Sequence, residues 1–160
     1  MIIRPTDLDP EGLDVDTPLE LEPLGLGTEE AIRTESVAVR GHVQPTRLGL
    51  SFRGRITGRL QVPCARCASP FTLDLDRPFD LIYAHTLPSG REIQIAEDDL
   101  DVAFLPAGEG IDLKQVAEEQ IFLEIPMKPL CRPSCRGLCP RCGADLNRGD
   151  CGCAGASPQF

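Results

Sequence analysis

Eight cysteines carry the chemistry of this 160-residue chain, and their spacing is the first thing to explain. They run Cys64-x2-Cys67, then, after 63 residues, Cys131-x3-Cys135-x3-Cys139-x2-Cys142-x8-Cys151-x1-Cys153. A two-residue gap lets both thiolates of one turn point at a single ion, and structural zinc takes four tetrahedral ligands. Cys139-Pro140-Arg141-Cys142-Gly143 is the most specific piece. Pro140 stiffens the turn, and Gly143 can take positive φ while backbone amides reach the sulfurs. Cys64-Ala65-Arg66-Cys67 has the same spacing without the glycine.

Eight thiolates suffice for two four-cysteine zinc sites. Cys139, Cys142, Cys151 and Cys153 lie within fifteen residues, and Asn147, Gly149 and Gly152 supply turns that return the chain. That grouping leaves Cys64 and Cys67 with Cys131 and Cys135, a long-range site tying a helix exit to a sheet. The loop-closure entropy of such a site is offset by zinc binding, which is worth about 10–16 kcal/mol in finger peptides. The alternative partition takes Cys131, Cys135, Cys139 and Cys142 as one tail site. Redox use competes with metal binding, but no helix pattern begins at Cys67 to lower its pKa. Four cysteine ligands leave no open position for a catalytic water. His42 and His85 read as solvated surface, as do the acid pairs Asp98-Asp99 and Glu118-Glu119. With no phosphate-binding glycine loop and no triad, the chain is not expected to be an enzyme.

The elements that must position these cysteines follow from hydrophobic periodicity. A loosely packed acidic arm, with at most a short strand or turn, is expected over residues 1–35. Val37, Val39, Gly41 and Val43 alternate with polar residues in a strand. From Leu48 to Val62 the even positions are apolar or glycine, while the odd ones include Arg53, Arg55 and Arg59, the pattern of a half-buried sheet. Gly54 and Gly58 suggest a bulge or bend there. Phe71 to Tyr83 alternate again, with an interruption expected at Pro78. Ile93/Ile95 and Val102–Leu105 read as shorter strands. One helix is predicted from Asp112 to Ile125, opened by a capping-box variant of Asp112 and Gln115, buried along Leu113, Val116, Ala117, Ile121 and Ile125, and stopped by Pro126. The fold class is α+β: a curled antiparallel sheet or small open barrel with one helix and a C-terminal zinc knuckle. The expected organisation is an arm (1–35), an α+β domain holding the long-range site (36–135), and the knuckle with its tail (136–160).

The formal net charge of −9 hides segregation. Residues 1–35 sum to −8, 36–73 to +6, 74–125 to −10 and 126–160 to +3, and all eight cysteines lie in the two positive segments. The six arginines of the second segment read either as an ordinary solvated strand face or as a cationic surface meeting a polyanion. No run approaches the ~18 apolar residues of a spanning helix. The N-terminus turns acidic at once, without the basic start and apolar stretch of a secretory signal. A reducing, cytoplasmic setting is expected, where cysteine clusters bind metal more often than they form disulfides.

Three stretches together carry a resemblance: Leu60-Gln61-Val62-Pro63-Cys64-Ala65-Arg66-Cys67, Ile125-Pro126-Met127-Lys128-Pro129-Leu130-Cys131, and Gly137-Leu138-Cys139-Pro140-Arg141-Cys142-Gly143-Ala144-Asp145-Leu146-Asn147. Over residues 36–153 the chain resembles the YceD family, named for accumulation of large-subunit (23S) ribosomal RNA in bacteria, with relatives in plastids. Ala68 departs from the larger apolar residue the family tends to carry there. The resemblance implies a role in ribosomal RNA accumulation and supports metal binding. With the residue readings above, the expected function is a non-enzymatic zinc factor in ribosome biogenesis whose partner is ribosomal RNA, a large-subunit ribosomal protein or both, with no membrane or small-molecule substrate. Arg53, Arg55, Arg59 and Arg66 are the candidate RNA-contacting residues. An acidic adaptor for a basic ribosomal protein and a thiol redox sensor are the competing readings.

Overall fold

In the computed structural model, residues 1–25, 31–47, 49–84, 102–106 and 108–153 are described. Three fifteen-residue strands form the centre: β4 (Ala31–Pro45), β5 (Gly49–Pro63) and β6 (Pro70–Ala84). They follow β1 (Ile2–Ile3), β2 (Leu13–Leu19) and β3 (Leu24–Gly25), and precede β7 (Val102–Phe104), β8 (Ile111–Asp112) and the helix α1 (Leu113–Glu124). The main sheet runs β2-β4-β5-β6-β7, with β3 also on β4, while β1 and β8 form a separate pair. The molecule is mostly sheet with one helix. The sheet is open: among the described residues nothing pairs β2 with β7.

Alternation along β5 decides which face is buried. Leu50, Phe52, Ile56, Leu60 and Val62 are all at most 1 % exposed, whereas Arg53, Arg55 and Arg59 face outward. The apolar face packs with Val39 and Val43 of β4, Leu75 and Phe79 of β6, and Leu113, Val116, Ala117 and Ile121 of α1. Each large side chain buried in this way contributes about 1.5–3 kcal/mol relative to exposure. Gln120 also lies in the buried helix stripe, where its Oε1 accepts from Arg77 Nε at 3.1 Å. Asp112 caps the helix, its side chain accepting from the Lys114 N–H at 3.0 Å. The predicted capping-box partner does not reach back, since Gln115 donates forward to Glu119 instead.

Several expectations change. The middle of the acidic arm is a seven-residue strand, because Val15 and Leu19 bury beside β4 while Asp14 and Asp16 stay outside. The register shift lies in β4, between Thr34 and Ser36, and not at Gly54 or Gly58, through which β5 pairs with β6 without interruption. Gly54 serves close approach: a Cβ there would stand 2.5 Å from the Arg40 carbonyl and 2.9 Å from the Phe79 ring, which packs edge-on against Phe52 at 4.9 Å. β6 runs straight through Pro78, which an edge position tolerates because β7 covers only Ile82–Ala84. β7 joins in parallel, so the sheet is not wholly antiparallel. The strand expected at Ile93/Ile95, His85 and the pair Asp98-Asp99 lie outside the described residues.

Candidate metal centres

The β5–β6 hairpin turn carries the first cysteine pair. Pro63 ends one strand and Pro70 begins the next, leaving six residues to turn. The Ala68 N–H donates to the Cys64 carbonyl at 2.9 Å, and Ala68 takes φ 56°. The second turn repeats this: the Gly143 N–H donates to the Cys139 carbonyl at 2.8 Å, with φ 72° at Gly143. Both Cys-x2-Cys motifs therefore close the same loop, one with the glycine that this conformation favours and one with alanine.

The sulfurs assemble into two groups, each with all four atoms within 4.8 Å of one another: a proximal cluster of Cys64, Cys67, Cys131 and Cys135, and a distal cluster of Cys139, Cys142, Cys151 and Cys153. The tail set of Cys131, Cys135, Cys139 and Cys142 does not form. In the proximal cluster the Sγ atoms of Cys64 and Cys135 are 3.8 Å apart, as are those of Cys67 and Cys131. Four sulfurs about 2.3 Å from a tetrahedral ion stand about 3.8 Å apart. A disulfide needs about 2.05 Å, and all eight cysteines are free.

The tail is tied to the hairpin by backbone. The Ala65 N–H donates to the Pro129 carbonyl at 2.8 Å, the Leu138 N–H to the Arg66 carbonyl at 3.1 Å, and the Cys131 N–H to Cys64 Sγ at 3.4 Å. Arg66 closes the turn with a 2.7 Å bond from its guanidinium to the Cys135 carbonyl. The result is burial: Cys64, Cys67 and Cys135 are 2 %, 7 % and 1 % exposed, whereas Cys142 in the distal cluster is exposed.

Acidity divides within each cluster. Burial pushes the Cys64 thiol up, but the N–H groups of Cys131, Arg66 and Cys67, with the Cys67 thiol, outweigh it and hold Cys64 at about 6. Burial and the neighbouring thiols of Cys64, Cys135 and Cys67 push Cys131 up to about 12. In the distal cluster the N–H groups of Cys142 and Arg141 bring Cys139 down to about 6, while Cys142 and Cys151 drive Cys153 up to about 12. Four sulfurs this close cannot all ionise alone. A divalent cation would supply the missing positive charge and displace the remaining protons. The donor set therefore fits a thiophilic divalent ion in both clusters.

The arginine face differs from a bare cationic surface. Arg53 pairs with Asp80 at 2.7 Å, Arg55 with Asp76, Arg40 with Asp16 at 2.9 Å, and Arg59 lies 3.9 Å from Glu35. His42 joins the row by bonding Asp14 at 2.7 Å and the Glu11 carbonyl at 3.0 Å, contacts that raise its pKa. Arg40, His42, Arg53, Arg55 and Arg59 are thus matched by acids from β2, β4 and β6, while Arg33 on β4 is exposed with no ion-pair partner among the described residues. Near the clusters the balance is different: Lys128, Arg132 and Arg141 are exposed, and none has an ion-pair partner among the described residues. Glu118 and Glu119 lie on α1, where Glu119 accepts from Gln115.

Sequence reasoning missed Asn147 as anything but a turn residue. Its Nδ2 donates to Cys135 Sγ at 3.5 Å, and its Oδ1 accepts from the Arg136 N–H at 2.9 Å and from Arg132 at 2.8 Å. The only signal was its place between Cys142 and Cys151.

An open sheet whose central hairpin grips a cysteine-rich tail defines a protein built around two four-thiol clusters. The chain belongs to the YceD family: the profile of the Large ribosomal RNA subunit accumulation protein YceD matches residues 52–160. It is 36 % identical over 95 residues to an uncharacterized protein of Mycobacterium bovis, covering 57 % of this chain and 44 % of that one. The uncharacterized protein YlbN of Bacillus subtilis is 26 % identical over 136 residues, 84 % of this chain and 75 % of its own length. The chloroplastic Large ribosomal RNA subunit accumulation protein YCED homolog 1 of Zea mays is 41 % identical over 134 residues, 69 % of this chain and 46 % of its own. The chain thus spans less than half of the mycobacterial and maize relatives. No solved structure matches. Among the described residues no helix is long and apolar enough to cross a membrane.

Proposed function

We propose that this protein is a non-enzymatic, cytoplasmic factor that holds one zinc ion in each four-cysteine cluster and supports accumulation of large-subunit ribosomal RNA. The observation that carries the zinc reading is the pair of 3.8 Å sulfur separations, the edge length of a tetrathiolate site, in a cluster of free cysteines. Family membership supplies the ribosomal link. Four-cysteine coordination leaves zinc no open position, so the metal acts structurally, fastening the tail to the hairpin. Direct contact with RNA phosphates is assigned to the cluster-bearing end, where Lys128 and Arg141 are exposed and have no ion-pair partner among the described residues. On the sheet face, a phosphate would first have to displace Asp76 or Asp80 from Arg55 or Arg53. Arg66 is committed to the Cys135 carbonyl.

The test compares two variants of the zinc-loaded protein on a large-subunit ribosomal RNA fragment across a salt series. Lys128→Ala/Arg141→Ala should lower the salt slope by about two, one per lost phosphate contact, while Arg53→Ala/Arg55→Ala/Arg59→Ala leaves it nearly unchanged. The reverse ranking would move the contact to the sheet. No binding by either protein, with retention of a basic ribosomal protein from nuclease-treated lysate, would replace RNA contact by the adaptor reading. Metal analysis finding no zinc and thiols that cycle to disulfides would favour a redox sensor.

A further inference from the structure

The two clusters are separate in sequence but share one loop. Residues 143–150 join Cys142 to Cys151 and so belong to the distal cluster. Yet this loop lies against the segment that presents Cys135 to the proximal one. The Leu146 N–H donates to the Gly137 carbonyl at 2.9 Å, the Cys139 N–H to the Ala144 carbonyl at 2.8 Å, and Arg136 reaches Asp150 at 2.6 Å. At its centre Asn147 is held on every side. Its own N–H and its Nδ2 both bond Asp145 Oδ1, at 2.9 and 2.7 Å, and its Oδ1 takes two donors from the 132–136 segment. That clamp aims Nδ2 at Cys135 Sγ.

We infer that Asn147 is a positioning residue that couples the two metal centres: closing the distal cluster fixes the loop that places an N–H donor on a proximal ligand. A donor to a ligating thiolate stabilises its negative charge and fixes its direction, and such outer partners are typically worth 10–100-fold in metal affinity. With the distal cluster empty, Cys151 and Cys153 no longer anchor the far end of the loop, and the donor must be ordered at an entropic cost. Metal in the distal cluster removes that cost in advance. Linkage makes the effect reciprocal, so proximal occupancy tightens the distal site by the same factor. This inference rests on the metal-binding reading above.

The experiment uses the reduced full-length chain, loaded with cobalt(II) for thiolate-to-metal charge-transfer spectra and chelator competition, and with cadmium for NMR, which gives one resonance per tetrathiolate site. The resonance that survives in Cys142→Ser/Cys151→Ser belongs to the proximal cluster. Asn147→Asp keeps an acceptor for Arg132 and the Arg136 N–H but removes both Nδ2 bonds, to Cys135 Sγ and to Asp145 Oδ1. It is therefore made in an Asp145→Asn background, whose amide restores the bond between residues 145 and 147, and compared with Asp145→Asn alone, so only the donor to Cys135 differs and circular dichroism of the sheet should not change. Asn147→Asp should weaken proximal binding about tenfold or more and move the proximal resonance and charge-transfer band. Cys142→Ser/Cys151→Ser should weaken proximal binding comparably, and combining the two changes should add little. Losses that multiply, or a proximal resonance and affinity untouched by Asn147→Asp, would overturn the coupling while leaving two metal sites standing. Failure to bind either metal would overturn both the coupling and the reading beneath it.

Discussion

The proximal and distal clusters are built on the same turn and differ in everything around it. Proximal cysteines come from two stretches separated by more than sixty residues, are buried at three of four positions with Cys131 half-buried, and sit where a hairpin, a helix exit and a tail converge. Distal cysteines come from one short stretch and leave Cys142 in solvent. A local knuckle organises one loop and what that loop touches, whereas a long-range site joins elements that would otherwise diffuse apart. The proximal metal should therefore govern global stability and the distal metal local order.

The largest expected effect is at the proximal cluster. Cys64→Ser should lower unfolding free energy by about 4–5 kcal/mol in denaturant titrations of the zinc-loaded protein, the range reserved for loss of a structural metal. Cys142→Ser should cost less, about 1–2 kcal/mol in the same titration, of which a tenfold loss of proximal affinity accounts for about 1.4 kcal/mol. Equal losses would break the comparison. Next in size is a kinetic difference. Mass-resolved alkylation of the metal-loaded protein should modify distal cysteines at least about tenfold faster than proximal ones, because protection of the buried set requires opening of the hairpin–tail junction. Uniform labelling would place both clusters in one opening unit.

A smaller, reciprocal pair of changes probes the shared turn. Gly143→Ala should cost about 1 kcal/mol of distal order, and Ala68→Gly should return up to about that amount at the proximal turn, read by thermal unfolding. Smallest is the pH effect at His42, on the outer face of β4. Its bonds to Asp14 and the Glu11 carbonyl favour the imidazolium, so its folded pKa lies above 6.5. The stabilisation from this contact is complete below the unfolded value and disappears as pH rises through the raised folded one. Proton NMR should find its midpoint above 6.5 in the parent and nearer that value in Asp14→Asn.

Much of the architecture was legible because it is written in local periods. The apolar even positions of β5 and the Asp112 cap needed no partner to be read. β2 was missed although Leu13, Val15, Thr17 and Leu19 keep the same two-residue period, because the acids between them and Pro18 suggested an arm. What made it a strand is the burial of Val15 and Leu19 beside β4, with Asp14 and Asp16 set outward against His42 and Arg40. In β4–β5 the bulge could not be placed from glycines, since glycine also serves close packing, as Gly54 does beneath Phe79.

The two halves of the candidate site divide along the same line. Cysteine type, count and spacing favoured two four-thiol centres and their partition, because a knuckle is closed by chain a few residues away, but left open a tail set of Cys131, Cys135, Cys139 and Cys142 that only the folded chain excludes. The fate of the arginines was open. A segment of +6 between segments of −8 and −10 looks like a cationic surface until register is known. Antiparallel pairing then sets Asp14 and Asp16 beside His42 and Arg40 on one side, and Asp80 and Asp76 beside Arg53 and Arg55 on the other. Charge along a chain is a sum over neighbours in sequence, but a surface potential is a sum over neighbours in space. Only the folded sheet, by bringing acids from distant segments within bonding distance, paired the arginines of β5, while Lys128 and Arg141 near the cysteine clusters kept no ion-pair partner among the described residues.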